Sequence, residues 1–230
     1  MKIGIFAKTF PRPNLEETLD AVRAHGLSCV QFNLACAGLP SMPDQLEGGV
    51  VEWVRREMEA RSVQMAAISG TFNMIHPEPH ERQAGLRRLR VLAAACGRLG
   101  TRVITLCTGT RDRQDMWRRH PDNDNPQAWQ DLTACMSQAL QIAEEYDVVL
   151  AFEPEVSNVV DTARKGRRLL DEMQSPRLKV VLDAANLFHQ GELVHMPAIL
   201  VEAFELLAED IVIVHAKDLS HDGAAGHQAA

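Results

Sequence analysis

Three side chains able to hold a metal ion and to move protons stand at the ends of apolar runs. Glu153 closes VVLAFE, Asp183 closes LKVVLD and His215 closes DIVIVH. Gaps of 30 and 32 residues separate them, about the length of one strand-helix-strand unit. Two carboxylates and an imidazole gathered on one sheet rim would suit a single divalent ion that accepts oxygen and nitrogen together, such as Mn, Mg, Co or Zn. No cysteine stands beside them, which argues against a structural zinc. Taken singly, each residue has another reading. Glu153 could form an ion pair or cap a helix, Asp183 precedes Ala184-Ala185-Asn186 and could cap that turn, and His215 could be a satisfied core histidine. Their joint placement favours the ligand reading.

The elements that would position them form a regular alternation. Short β-branched runs predict strands over Lys2 to Ala7, Ser28 to Asn33, Gln64 to Ser69, Arg102 to Leu106, Val148 to Phe152, Lys179 to Leu182 and Asp210 to Val214. Between them, helical periodicity covers Leu15 to His25, Val50 to Arg61, Glu81 to Leu99, Ala128 to Tyr146, Ala163 to Met173 and Pro197 to Ala208. Repeated βα units require parallel strands covered by helices, in either an open sheet or a barrel. Nearly every predicted strand ends in polar groups at its C-terminal side: Lys8, Gln31 and Asn33, Ser69 to Asn73, Thr108, Glu153, Asp183 and His215. A (β/α)8 barrel brings all those ends onto one rim, so it explains the pattern with the fewest assumptions. Seven strands can be read and an eighth cannot, and the closing GAAGHQAA reads as a small flexible loop.

Composition restricts the remaining choices. At 230 residues and 46% hydrophobic, the chain can bury a sizeable core, and we read residues 1–230 as a single domain. No apolar stretch has the length of a membrane span, and Lys8 interrupts the N-terminal run, so a soluble cytoplasmic protein is expected. A net charge of −7 provides no nucleic-acid footprint. Arg87, Arg88 and Arg90 read as the solvated face of a helix. The five cysteines, Cys29, Cys36, Cys96, Cys107 and Cys135, lack CxxC spacing and lie in or beside apolar runs, as buried reduced thiols do.

Further candidates lie in the loops. His76 follows the third strand, Asn186 and His189 follow Asp183, and Lys217 and Asp218 follow His215; these are candidate substrate contacts, although a solvated histidine or a rim ion pair is the plainer reading. Glu155 could orient a ligand. The connection from Gly109 to Pro126 is long and carries Arg111, Asp112, Arg113, Trp117, Arg118, Arg119, His120 and Asp122. It reads either as a partly disordered polar loop or as a lid or substrate-contacting segment in which Trp117 stacks on a sugar ring or packs on a neighbouring subunit.

The segments GTFNMIHPEP, LRRLRVLAAACGRLGTRVITLCTGTRD, LAFEPEVSNVVDTA, SPRLKVVLDAANLFHQGEL and IVIVHAKDL resemble the sugar phosphate isomerase/epimerase family, the xylose isomerase-like TIM barrels, from about Ile3 to Asp218. The resemblance implies one divalent metal held by Glu153, Asp183 and His215. It also implies a second glutamate on an eighth strand, which has no counterpart before Ala230, so the barrel is expected to be incomplete at its C-terminal end and the chain truncated. The implied activity is isomerisation or epimerisation of a small ketose, inosose or related polyol, by proton abstraction through an enediolate, with Glu153 as one catalytic acid/base as well as a metal ligand. No phosphate-cradling glycine loop precedes a helix, which tilts the expectation toward unphosphorylated substrates. Family barrels often associate, and an open seam would favour homo-oligomers. Two alternatives stay open: a non-catalytic sugar-binding barrel, and a phosphodiesterase resembling endonuclease IV. The latter would need additional histidines where this chain has Leu106-Cys107-Thr108 and Asn186.

Overall fold

The computed structural model describes residues 2–189, 191–217, 219–222 and 226–229, the last two stretches by their backbone alone. Seven strands, β1 (Ile5–Phe6), β2 (Cys29–Phe32), β3 (Gln64–Ser69), β4 (Val103–Cys107), β5 (Val149–Glu153), β6 (Leu178–Asp183) and β7 (Ile211–His215), form one sheet in sequence order. Every neighbouring pair is parallel. Six helices make the crossovers: α1 (Leu15–Ala24), α2 (Gly48–Ala60), α3 (Pro79–Leu99), α4 (Pro126–Glu145), α5 (Ala163–Met173) and α6 (Met196–Leu207). Seven βα-linked parallel strands in this order match a TIM barrel in which, among the described residues, no eighth strand joins the sheet. Among the described residues no ladder joins β1 to β7.

Local chemistry explains most of the element boundaries. At α1, Asn14 accepts from the Glu17 N–H at 2.8 Å while its own amide donates to the Glu17 carboxylate, a reciprocal cap on the first turn. Thr162 caps α5 through the Lys165 N–H. Helix α3 starts at Pro79, two residues before the expected Glu81, because proline at a first helical position forfeits no hydrogen bond. Pro126 likewise opens α4, behind an Asn125 cap. Strand β1 spans two residues instead of the six expected, since a strand paired on one side only receives half the ladder bonds of an interior strand.

Phe32, Ile68, Ile104, Leu106 and Phe152 are fully buried between the sheet and the helices, together with Leu89 and Leu92 of α3. Burying each such side chain contributes roughly 1.5–3 kcal/mol. All five cysteines are free and buried, as expected, and burial pushes the Cys96 and Cys135 thiols up to about 12. The arginines of α3 behave as a solvated face, with Arg88 pairing Asp44 at 2.7 Å and Arg90 pairing Glu145. No helix among the described residues is long and apolar enough to cross a membrane.

The C-terminal segment departs from the loop expected there. Leu219–Asp222 (β8) and Gly226–Ala229 (β9) form a two-stranded antiparallel ladder, with His221 opposite His227. The pairing is separate from the main sheet.

Candidate metal centre

Glu153, Asp183 and His215 are the last residues of β5, β6 and β7. In-register pairing sets Asp183 directly beside His215. One potential ligand atom from each of the three lies within 4.8 Å of the other two. His215 Nδ1 is 3.4 Å from Asp183 Oδ2 and 3.7 Å from Glu153 Oε2. Atoms bound about 2.1 Å from a common ion stand roughly 3–3.5 Å apart, so the spacing fits a shared cation.

The electrostatics also fit. Burial pushes the Glu153 carboxyl up to about 7, and the nearby carboxylates of Asp183 and Glu155 act in the same direction; His215 and an Asn186 hydrogen bond only partly oppose this. For Asp183 burial also acts upward, yet the hydrogen bonds and positive charges of His215 and Lys217 outweigh it and hold the carboxyl below its ordinary value. His215 is raised, because the two carboxylates overcome the effect of burial. Concentrated negative charge in a desolvated place, with oxygen and nitrogen donors converging, is the donor set that a divalent ion neutralises.

Asp183 satisfies both readings made from the sequence. Its Oδ1 accepts from the Ala185 N–H at 3.0 Å, capping the short turn Ala184–Asn186, and its Oδ2 faces His215 and Lys217. Asn186 and Lys217 join the cluster. The Asn186 amide donates to Glu153 Oε1 at 2.5 Å and accepts from Lys217 Nζ at 2.7 Å, while Lys217 pairs with Asp183 at 2.9 Å. The carboxylate paired with Lys217 is therefore Asp183; Asp218 lies outside the described residues.

Other candidates occupy separate networks. His76 accepts from the Glu78 N–H and lies 3.4 Å from the Arg113 carbonyl. His189 approaches the buried Asp161, which also pairs with Arg119 at 3.0 Å and Lys165 at 2.9 Å. Glu155 accepts from Ser157 and Asn158, and burial raises its carboxyl as well. Trp117 is 52% exposed on the long loop after β4.

That loop is ordered by its own polar groups, contrary to the disordered reading. Asp112 caps the Gln114 and Asp115 N–H groups and pairs with Arg118 at 2.6 Å; Asn123 accepts from the Arg111 N–H and the Thr110 hydroxyl. Gly109 is required at its start. With φ +87°, it passes so close to the preceding loop that an added Cβ would lie 2.2 Å from Asn73 Oδ1 and 2.8 Å from the Met74 backbone nitrogen.

One cluster member escaped the candidate set. Gln31 of β2 lies across the sheet from β7, yet its Oε1 is 2.9 Å from His215 Nε2. Its polarity at a strand end was visible in CVQF, but its partner stands 184 residues away.

The chain belongs to the xylose isomerase-like TIM barrel family, whose sequence model matches residues 19–228. Solved structures share the fold at low identity. The 3-keto-D-glucoside 4-epimerase YcjR from E. coli is 17% identical with a TM-score of 0.72, the match covering 95% of this chain and 79% of that one. The IOLI protein, solved with a zinc atom, is 16% identical with a TM-score of 0.70, covering 96% and 74%. D-Psicose 3-epimerase from Clostridium cellulolyticum H10, solved with D-tagatose, is 16% identical with a TM-score of 0.68, covering 90% and 71%. A search of curated proteins gives no match.

Proposed function

We propose that the protein is a divalent-metal-dependent sugar isomerase or epimerase acting on a small ketose, inosose or related polyol. The observation that carries the reading is the convergence of Glu153, Asp183 and His215 at the ends of three neighbouring strands, with the Glu153 carboxylate held by the Asn186 amide. A carboxylate fixed there can accept a proton from carbon. Glu153, Asp183 and His215 would hold one ion, of Mn, Mg, Co or Zn. When bound, such an ion polarises a neighbouring carbonyl and acidifies the adjacent C–H.

The chain's own groups supply the remainder. Asn186 orients the Glu153 carboxylate, and Lys217 sets a positive charge beside Asp183 and Asn186, where it can balance charge that develops on an enediolate oxygen. His76, His189 and Trp117 are assigned to the outer end of the substrate. Sugar epimerases among the structural neighbours support the substrate class. Asn186 already serves Glu153 and Lys217, and Cys107 is buried with its thiol donating to the Phe72 carbonyl, which disfavours a multi-metal phosphodiesterase built on those positions.

Replacing Glu153 with Gln should reduce turnover by about 10²–10⁴-fold or more, read as deuterium wash-in from solvent across a panel of ketoses and inososes. Undiminished exchange in that variant would refute the assignment.

A further inference from the structure

We infer that Gln31 is a positioning residue that commits His215 Nδ1 to the metal: the Gln31 amide oxygen accepts the Nε2 proton, which leaves the Nδ1 lone pair facing Glu153 and Asp183. The inference rests on the metal reading of the cluster and adds a residue from the opposite end of the sequence.

Three observations carry it. First, the two ring nitrogens of His215 face different surroundings. Nδ1 lies 3.4 Å and 3.7 Å from the two carboxylates, while Nε2 lies 2.9 Å from Gln31 Oε1. A nitrogen that ligates a cation must be unprotonated, so the neutral ring must carry its proton on the other one, which needs an acceptor. Second, the Gln31 amide is anchored on its far side: its nitrogen donates to the Thr105 hydroxyl of β4 at 3.2 Å, and Thr105 is buried. The orientation with oxygen toward His215 is thereby satisfied at both ends. Third, the β2–β3 ladder shifts register between Val30 and Gln31. Such irregularities re-aim a side chain relative to its strand.

Placement gives this contact additional weight. Histidine-bearing β7 and β1 share no ladder among the described residues, and two of the four β7 residues before His215 are exposed. The Thr105–Gln31–His215 chain thus fixes the imidazole from the β2–β4 side, where the sheet is packed. An amide turned over would have the opposite effect. Its nitrogen would donate to Nε2, the proton would move to Nδ1, and the side facing the carboxylates would be closed to a cation.

The test uses the full chain labelled with nitrogen-15 at histidine and titrated with zinc, a diamagnetic probe. Long-range nitrogen–proton correlation spectra read the tautomer directly. The expected result is zinc on Nδ1 with the Nε2 proton retained. In parallel, Gln31→Met, which keeps chain length without a strong acceptor, should lower zinc affinity about 10–100-fold. Gln31→Glu, which restores an acceptor, should recover most of it. A role confined to packing would leave the tautomer unmoved and would not be rescued by glutamate. Zinc on Nε2 of the unaltered protein overturns the inference alone, and this reading decides the matter even where the Met variant does not fold. A Met variant that binds zinc as tightly as the unaltered protein also overturns it. Zinc that leaves Glu153, Asp183 and His215 unperturbed overturns the metal reading and this inference together.

Discussion

Strands β5 and β7 have the same design in sequence, VLAFE and IVIVH, each an apolar run ending in a candidate ligand. Their surroundings differ. Leu150, Ala151 and Phe152 of β5 are fully buried, with a parallel neighbour on each side of the strand. In β7, Val212 and Val214 are 45% and 53% exposed, and β6 is its partner in the sheet. Glu153 is therefore held by a packed core. His215 depends instead on polar contacts, a hydrogen bond with Gln31 on one side and the nearby carboxylates on the other. An apolar run identifies a strand, but burial is decided by what lies beside that strand.

This contrast can be broken most forcefully by emptying the core on one side only. Phe152→Ala should cost about 3–5 kcal/mol in urea unfolding, whereas Val214→Ala, on the exposed face of β7, should cost under about 1 kcal/mol. Comparable losses would mean that β7 is packed in solution as tightly as β5. A finer measure is amide hydrogen exchange, in which β7 should lose its protons before β5, because its edge lacks a second ladder among the described residues. Equal protection would show the seam to be covered.

The same contrast explains what the sequence could and could not disclose. All seven strands of the main sheet and the clustering of Glu153, Asp183 and His215 were legible because each depends on local patterning: a β-branched run, then a polar residue at its end. The rim geometry followed from the near-equal spacing of Glu153, Asp183 and His215. The short β1, the Gln31–His215 contact and the ordered loop after β4 were not legible. Each depends on partners far apart in the chain or on side-chain angles, as where Asp112 turns back to cap Gln114 and Asp115. The double role of Asp183, one oxygen capping a turn and the other facing the cluster, looked like two competing readings until the geometry showed them to be compatible.

Glu153, Asp183 and His215 are proposed to hold a single divalent ion together. Elemental analysis of the protein after loading with Mn or Zn and desalting tests this most directly, alongside an Asp183→Ala variant. One ion per chain is expected, lost in the variant. No retained ion, three ions per chain, or one ion kept equally well without Asp183 would contradict it.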